Sequence, residues 1–314
     1  MAARLGLDWE VWAIAQLATG AAAGDVIDTL VAEGLARDVA SAQIEQIVET
    51  PSFAMLRQRG VRGTMAEQLV RARQELAPVT QIDRCATLEA GEFRERYWQP
   101  SRPVVLTEAV REVRAVQRWT FASLAERFGD VEVEVNVRRG EATRGSETER
   151  HAETWKLGDF LARAATTEGN DCYIVSRNGL LARPELRALW EDLAPLPAML
   201  APPDPPRGAA LWIGPAGTRS PAHFDPHGVL LVQVQGRKRV RLVAPDHLEM
   251  VDALDGYYAT RTHATALEVE LVPGEALFVP LAWFHEVTAL EPSITLSMLC
   301  FRWPNQFHWF EPPG

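Results

Sequence analysis

After the proline-rich stretch APPDPP (residues 201–206), the sequence becomes a series of short apolar segments interrupted by glycine and proline, which continues to ITLSMLCF (residues 294–301). Short strands with frequent turn residues are typical of antiparallel sheets that close into a barrel or pack as a sandwich. Residues 7–77 instead show the spacing of apolar residues that is typical of helices. We therefore expect a mainly β fold with flanking helices, in which a barrel or sandwich follows an N-terminal helical module.

The helical module is expected to contain four helices within residues 1–80, followed by a second domain over residues 81–314. Acidic residues are placed to cap the first three helices: Asp8, Asp25 and Asp38. Thr64 and Glu67 have the Thr-x-x-Glu spacing of a capping box at the start of the fourth helix. A module of this kind serves packing, dimerisation or recruitment of a peptide substrate, and the sequence leaves these alternatives open.

A strand and a charged segment are predicted ahead of the β-rich region. Residues 131–139 (VEVEVNVRR) alternate between apolar and polar, as a strand with one solvated face does. The next segment, Gly140–Glu153, is charged and rich in turn formers. We expect a solvated loop there, although a mobile lid over a site would have the same composition. Residues 183–193 (RPELRALWEDL) are expected to form a helix with a proline in its first turn.

The composition limits the partners that the protein is expected to bind and the cellular compartment in which it is expected. A formal net charge of −10 argues against a broad nucleic-acid-binding surface, although not against a local basic groove. The three cysteines, Cys85, Cys172 and Cys300, are far apart and match no metal-ligand spacing, and unpaired thiols fit a reducing cytosol. The sequence shows no signal-peptide pattern and no run near the roughly 20 apolar residues that span a bilayer. We therefore expect a cytoplasmic protein without a membrane segment.

The stretch Ser220–Val243 (SPAHFDPHGVLLVQVQGRKRVRLV) combines strand alternation with residues that carry chemistry. In an extended segment residues i and i+2 point to the same face, so His223 and Asp225 can direct an imidazole and a carboxylate to one point. Gly236 is expected at a hairpin turn. On the returning strand, Lys238 has the parity of the apolar residues, whereas the neighbouring arginines have the opposite parity. A lysine inside a barrel requires an anion; the alternative is a register slip or bulge that lets Lys238 reach solvent.

A second stretch, Pro273–Val287 (PGEALFVPLAWFHEV), adds His285 at the end of an apolar strand. A single histidine among apolar residues is more often a core residue than a ligand. Two histidines and one carboxylate on one face of an octahedral ion leave positions open for other ligands, as in non-haem Fe(II) oxygenases. Structural zinc sites require four closed ligands, often cysteines, and no cysteine lies near these positions in the sequence. The pattern favours iron at His223, Asp225 and His285.

Three separated segments carry a resemblance to a known family: His223-Phe-Asp225, Gly236-Arg-Lys238 and Pro280-Leu-Ala-Trp-Phe-His285. In order and spacing they resemble the JmjC family of Fe(II)- and 2-oxoglutarate-dependent oxygenases, also called cupin-like hydroxylases. The resemblance covers residues 95–303 and is strongest to the subgroup that contains the asparaginyl hydroxylase inhibiting hypoxia-inducible factor. It implies a double-stranded β-helix (jelly-roll) core, with Fe(II) bound by the two histidines and the aspartate, and with 2-oxoglutarate and O₂ as cosubstrates.

The same resemblance implies the residues of the cosubstrate pocket. Lys238 would pair with the distal carboxylate of 2-oxoglutarate, and Ser220 and Tyr173 would contact the same carboxylate. Where the subgroup often has asparagine, this chain has Val229 and Ser297. Ser297 is therefore the expected polar contact on the last core strand, in a pocket rebuilt relative to that subgroup.

The implied activity is hydroxylation of a C–H bond of an amino-acid side chain in a protein or peptide, with release of succinate and CO₂. Hydroxylation or N-demethylation of another substrate, such as a tRNA base or a small metabolite, stays open, as does a non-catalytic cupin-like interaction protein. The acidic balance disfavours nucleic acid as a partner. The aromatic tail FRWPNQFHWFEPPG is expected to pack on its own barrel, with a homodimer contact as the alternative.

Overall fold

The structure, a computed structural model, describes residues 6–18, 20–56, 67–70, 72, 75, 78–205, 207–247, 250, 254–260 and 266–305. Its internal contacts divide the chain into two compact units, residues 1–78 and residues 79–314. Within the described ranges, no helix combines the length and the apolar composition that crossing a membrane requires.

The first unit is helical, with α1 (Leu7–Ala18), α2 (Ala23–Ala32) and α3 (Arg37–Val48). Residues 67–70 are also helical. The apolar faces of the three long helices meet in a small core made of Ala13, Leu17, Val26, Leu30, Ala40, Ile44 and Phe53. This core has no residue in common with those of the second unit.

The predicted helix caps are wrong for α2 and α3. Their N-cap positions are alanines, Ala22 and Ala36, and Asp25 and Asp38 lie in the first helical turn. α3 starts one residue before its aspartate with Arg37, a favourable helix former, and α2 starts two residues before its aspartate, with Ala23 and Gly24. There the carboxylates stabilise the N-terminus through the helix dipole instead. Asp8 likewise lies within α1, and the predicted capping box at residues 64–67 begins outside the described residues.

The second unit begins with β1 (Asp83–Cys85), helix α4 (Ala90–Phe93), which continues as a π-helical turn over Arg94–Trp98, and β2 (Val104–Leu106). Helices α5 (Arg114–Arg118) and α6 (Phe121–Phe128), strands β3 (Glu132–Asn136) and β4 (Ala152–Lys156), and helix α7 (Leu157–Thr166) follow. Short 3₁₀ turns cover Arg139–Glu141, Gly145–Glu147, Ser176–Asn178 and Leu180–Ala182. Pro184–Leu193, predicted as a helix, is helical but of the tighter 3₁₀ type.

Ten strands then build the β-rich region. They are β5 (Ala209–Gly214), β6 (Arg219–His223), β7 (Val229–Gln235), β8 (Lys238–Val243), β9 (Leu254–Asp255), β10 (Tyr258–Ala259), β11 (Leu267–Leu271), β12 (Ala276–Val279), β13 (Phe284–Ala289) and β14 (Ser293–Met298). One six-stranded sheet has the order β1-β2-β12-β7-β14-β5, and the other has the order β11-β8-β13-β6-β10-β9. Strands β3 and β4 form a separate two-stranded sheet. The predicted fold class is confirmed: a jelly-roll core of two mainly antiparallel sheets, in which only β1 and β2 pair in parallel among the described strands, with flanking helices.

Gly236 connects the two sheets. It has φ +71°, and a Cβ at this position would lie 2.3 Å from the carbonyl oxygen of Pro292. Only glycine fits both the backbone conformation and the space. The predicted turn is therefore present, but the predicted hairpin is wrong, because β7 and β8 belong to different sheets. Strands of a jelly roll alternate between its two sheets, and the sequence of a turn does not reveal which strands pair.

A network of paired charges covers the outer face of the sheet that contains β8. Each of its arginines has a glutamate oxygen within 4.0 Å. The members are Arg219, Arg237, Arg239, Arg241, Glu268, Glu270, Glu286 and Glu291, called the Arg–Glu network below. The arginines that the sequence places on the outside of β8 are thus balanced by acidic neighbours, and this face does not present a basic surface.

Candidate metal centre and its cavity

The two histidines and the aspartate predicted as metal ligands come together in the structure. His223 ends β6, Asp225 follows it by two residues, and His285 lies on β13, where it is the register partner of His223. One potential ligand atom from each side chain lies within 4.8 Å of the others. Nε2 of His285 is 3.7 Å from Oδ2 of Asp225, and the two imidazole centroids are 4.2 Å apart. The strand register therefore builds the cluster.

Backbone carbonyls orient both imidazoles. Nδ1 of His223 is 2.8 Å from the carbonyl oxygen of Pro221, and Nδ1 of His285 is 3.0 Å from that of Trp283. A carbonyl oxygen only accepts, so each Nδ1 carries the proton and donates it. Each Nε2 then keeps its lone pair for a metal, which is the tautomer that metal-binding histidines adopt when a second group fixes the ring.

His285 is neutral at physiological pH. Burial of the imidazole, with a smaller contribution from the adjacent His223, lowers the pKa of His285 to about 4, against the opposing effect of Asp225. A neutral imidazole is the form that binds a metal ion. Asp225 keeps 31% of its side chain exposed, and its carboxylate is an oxygen donor that could complete the ligand set.

The donor set fits a catalytic ion with open positions. Two imidazole nitrogens and one carboxylate gather on one side, and no fourth His, Cys, Asp or Glu joins the cluster within the part of the chain that the structure describes. A closed zinc site would need four protein ligands. Three ligands of this type leave room for further ligands on the opposite face, as a mononuclear iron oxygenase requires.

A cavity of about 480 Å³, counted out to its open mouth, extends from the metal cluster into the jelly roll. Every residue predicted to bind metal or cosubstrate lines it: His223, Asp225, His285, Lys238, Ser220, Tyr173 and Ser297. Aliphatic side chains form much of the remaining wall: Val229, Leu231, Val240, Leu271 and Val287. The structure therefore brings the predicted site residues together. The candidate metal ligands lie at one end of the cavity, and a polar end lies deeper inside.

Lys238 lies at the polar end. It is only 3% exposed, and its Nζ donates to the hydroxyl of Tyr173 over 3.0 Å. β8 pairs with β11 and with β13 without a register shift, so the alternative of a slip or bulge at Lys238 is wrong. No carboxylate oxygen of the described residues lies within salt-bridge distance of Nζ. A buried cation with one hydroxyl partner is placed to receive an anionic ligand.

Of the other expected cosubstrate contacts, Ser297 and Tyr173 have hydrogen-bond partners already. Oγ of Ser297 accepts a hydrogen bond of 2.8 Å from the indole N–H of Trp212. Ser220 is buried on β6, and Tyr173 is buried beside Trp212, with 5.9 Å between ring centroids. Val229 lines the cavity where the expected subgroup has asparagine, which leaves an apolar wall at that point.

Three residues of the cavity wall were not predicted from the sequence: the polar residues Gln233 and Thr295 and the aromatic residue Trp212. Gln233 is fully buried; its amide N–H donates to two backbone carbonyls, and its Oε1 accepts from Thr295 over 2.9 Å. Gln233 has the same strand parity as Val229, so the alternation that identified Lys238 also points to it.

The segment Gly140–Glu153 is packed more closely than a solvated loop. A Cβ on Gly145 would lie 2.6 Å from the ring of Tyr258, and Oγ of Ser146 donates to Asp255 over 2.5 Å. Tyr258 in turn pairs with His223 across β10 and β6. The segment therefore lies beside the metal end of the cavity, and its motion as a lid stays a prediction.

The C-terminal segment fixes the turn that follows Asp225. Asn305 accepts from the N–H of Gly228 and donates to its carbonyl oxygen, both over 2.8 Å. Phe301 and Trp303 pack with the main core cluster. Packing of the tail on its own barrel is thus confirmed as far as residue 305, and the remaining residues lie outside the described part.

Comparison with known proteins gives the family. A model described as "Cupin-like domain" matches residues 90–306. A protein named Jumonji C domain-containing protein 5, from Drosophila melanogaster, is 28% identical over 231 residues, which are 66% of this chain and 56% of that protein. Lysine-specific demethylase 8 of Xenopus tropicalis is 26% identical, over 68% of this chain and 51% of that protein. tRNA wybutosine-synthesizing protein 5 of Danio rerio is 28% identical, over 68% of this chain and 73% of that protein.

The residues matched by the family model lie in the second unit, and this chain spans only 56% and 51% of the first two relatives. The predicted closeness to the asparaginyl hydroxylase subgroup stays a prediction. Since the family model covers all three clustered side chains and the strands that carry them, the chain belongs to the cupin-like (JmjC) domain family.

Proposed function

We propose that this chain is an Fe(II)- and 2-oxoglutarate-dependent oxygenase that hydroxylates a C–H bond of an amino-acid side chain in a protein or peptide, with release of succinate and CO₂. One observation carries the proposal: a three-ligand cluster with open positions and a buried, unneutralised lysine line the same cavity. Neither feature is needed by a structural jelly roll. Together they match a metal at one end and an anionic cosubstrate at the other.

His223, Asp225 and His285 would hold the iron, and Lys238 would hold the distal carboxylate of 2-oxoglutarate. When bound together with O₂, iron and 2-oxoglutarate supply an oxidant able to remove hydrogen from an unactivated C–H bond. The chain's own residues perform binding and orientation. The Nδ1 bonds keep both imidazoles in one tautomer, and the Tyr173 hydroxyl fixes Lys238 Nζ.

The cavity wall also controls water. Valine and leucine side chains surround the path between the metal ligands and Lys238. An apolar wall of this kind strengthens the ion pair between Lys238 and a bound carboxylate by lowering the local dielectric constant. It also limits the water that would otherwise compete for the open metal positions.

A peptide substrate is favoured over a nucleic acid by the surface charges. The arginines of the Arg–Glu network are paired with glutamates, and the whole chain has a net charge of −10. A protein that neutralises many phosphates needs unpaired basic residues. Demethylation and tRNA modification, which the names of two relatives mention, are alternative outcomes of the same chemistry. The helical unit is proposed to recruit the substrate or to dimerise.

The test measures succinate released from 2-oxoglutarate by the purified protein with Fe(II) and O₂. We expect turnover by the wild type and its loss, to below about 1%, in His223→Ala and Asp225→Ala. Arg239→Gln, an exposed change in the Arg–Glu network, is the matched control and is expected to keep full turnover. Equal turnover by all four proteins would sink the assignment, and absence of 2-oxoglutarate binding to the wild type would favour a non-catalytic interaction protein.

The substrate is identified by mass spectrometry of the host proteome. Peptides that gain one oxygen atom with the wild type, and not with Asp225→Ala, would identify the target. Loss of a methyl group instead would indicate demethylation. Modified tRNA, together with binding that weakens steeply as salt rises, would replace the peptide proposal.

A further inference from the structure

Arg139 is a buried arginine that the proposed reaction does not yet use. It is 3% exposed, and among the described residues no carboxylate oxygen lies within 4.0 Å of its guanidinium. Its donors reach neutral oxygens instead: the Thr148 carbonyl over 3.0 Å, the Arg219 carbonyl over 2.7 Å and, at the longer distance of 3.5 Å, Oδ1 of Asn170. Burying a charge on neutral partners is unfavourable, so this arginine calls for an explanation.

The guanidinium also lies against the ring of Tyr173. Cζ of Arg139 is 5.1 Å from the ring centroid, and Nζ of Lys238 is 5.5 Å from the same centroid and 3.0 Å from the hydroxyl. Tyr173 is 2% exposed and therefore has little freedom. Two buried cations thus contact one phenol, and only Lys238 lines the cavity.

The oxygens bound by Arg139 belong to different parts of the site. Thr148 lies in the segment Gly140–Glu153 beside the metal end of the cavity, and Arg219 begins β6, the strand that carries Ser220 and ends at His223. Asn170 also binds the start of β6, because its Oδ1 accepts a hydrogen bond of 2.8 Å from the backbone N–H of Arg219. One side chain therefore links the segment, the strand of the first metal ligand and the tyrosine that fixes Lys238.

We infer that Arg139 is a positioning residue. It holds the Tyr173 hydroxyl against Lys238, so that Lys238 is placed to bind 2-oxoglutarate. It also couples the segment Gly140–Glu153 to the binding of 2-oxoglutarate in the cavity. This inference rests on the proposed function. Arg139 acts through Tyr173 and through backbone carbonyls, without touching the cosubstrate. Lysine has no planar fork of donors, so it cannot make the three hydrogen bonds in their present directions.

A double-mutant cycle tests the action through Tyr173. Tyr173→Phe keeps the ring under Arg139 and removes the hydroxyl. We expect Arg139→Gln and Tyr173→Phe each to raise the KM for 2-oxoglutarate about tenfold, with kcat changed less than about threefold, and the double variant to be no worse than the poorer single variant. Arg138→Gln, an exposed neighbour whose loss removes the same charge, is the matched control and is expected to keep the wild-type KM.

Proteolysis tests the coupling to the segment without turnover. A glutamate-specific protease cleaves after the four glutamates of this segment, Glu141, Glu147, Glu149 and Glu153, sites that none of the variants alters. With Fe(II) and without O₂, 2-oxoglutarate is expected to slow this cleavage severalfold in the wild type and in Arg138→Gln, and to have no effect in Arg139→Gln. Arg139→Lys replaces Arg139→Gln in both assays if the latter does not fold, and it is expected to behave like it.

The outcomes separate this inference from the proposed function. Additive effects on KM, an unchanged KM in Arg139→Gln, or equal protection of all variants by 2-oxoglutarate would overturn the inference while wild-type turnover stands. A wild type that neither turns over nor binds 2-oxoglutarate overturns the proposed function and the inference with it.

Discussion

Replacing Lys238 by methionine is expected to make the protein more stable and nearly unable to use 2-oxoglutarate. Methionine has a similar length and no charge. In the absence of a cosubstrate, the ammonium of Lys238 is 3% exposed and has the Tyr173 hydroxyl as its hydrogen-bond partner. Taking a charge out of water costs several kcal/mol, and a single hydrogen bond from the ammonium to a neutral hydroxyl returns only about 1.5–3 kcal/mol.

The two effects have opposite signs and calculable sizes. We expect Lys238→Met to raise the free energy of unfolding by about 1–3 kcal/mol, because removing the desolvated charge outweighs the hydrogen bond that the Tyr173 hydroxyl loses. Removing one member of a buried charge pair weakens binding by about 2–5 kcal/mol, which corresponds to a KM for 2-oxoglutarate roughly 30- to 5,000-fold higher.

Urea unfolding without cosubstrate measures the first effect, and succinate release at rising 2-oxoglutarate concentration measures the second. Arg239→Met is the matched control on the same strand: its side chain is 43% exposed, so the expected change in stability is below about 1 kcal/mol and the KM should not change. A Lys238→Met protein that is less stable than the wild type by 1 kcal/mol, or that keeps its KM, would refute the reasoning.

Three further changes test other parts of the structure. Burial alone would raise the pKa of Asp192, but hydrogen bonds from Trp119 and Arg127 lower it. Asp192→Asn should therefore lower the free energy of unfolding by about 2 kcal/mol at pH 7. Urea unfolding should show that this loss becomes smaller as the pH falls below about 4. Gly236→Ala places a Cβ against a carbonyl oxygen at a residue with positive φ. It should lower the free energy of unfolding by at least about 2 kcal/mol in the same assay. Asn305→Ala should lose about 2–3 kcal/mol through its two 2.8 Å bonds, and titration calorimetry should show weaker iron binding.

The sequence was sufficient for those features that depend on strand alternation. The inward direction of Lys238 follows from a period of two along β8, and the meeting of His223 with Asp225 follows from the same period. The first holds because β8 is regular and its apolar residues must face the core. The second holds although Asp225 lies two residues beyond the end of β6. The meeting of His285 with His223 needed the resemblance, since no local rule pairs β13 with β6.

The features that the sequence did not predict depend on contacts between distant parts of the chain. Gly236 marked a turn, but the assignment of β7 and β8 to different sheets is a property of the whole jelly roll. Arg139 lies in a charged stretch that indicates solvent, and it is buried because Thr148 and Arg219 supply carbonyls across long loops. Asp25 was expected at a cap, but α2 starts two residues earlier, at Ala23, and the carboxylate lies in the first helical turn.

The pairing of His285 with His223 across β13 and β6 has an evolutionary consequence. A deletion of one residue within either strand would turn its histidine to the opposite face and abolish the site at once. Insertions in the segment Gly140–Glu153, or between β9 and β10, would leave the ligand distances unchanged. Proteins descended from this scaffold can therefore change the segments beside the cavity, and with them the substrate, in small steps. The metal site, in contrast, is either kept unaltered or lost in a single event.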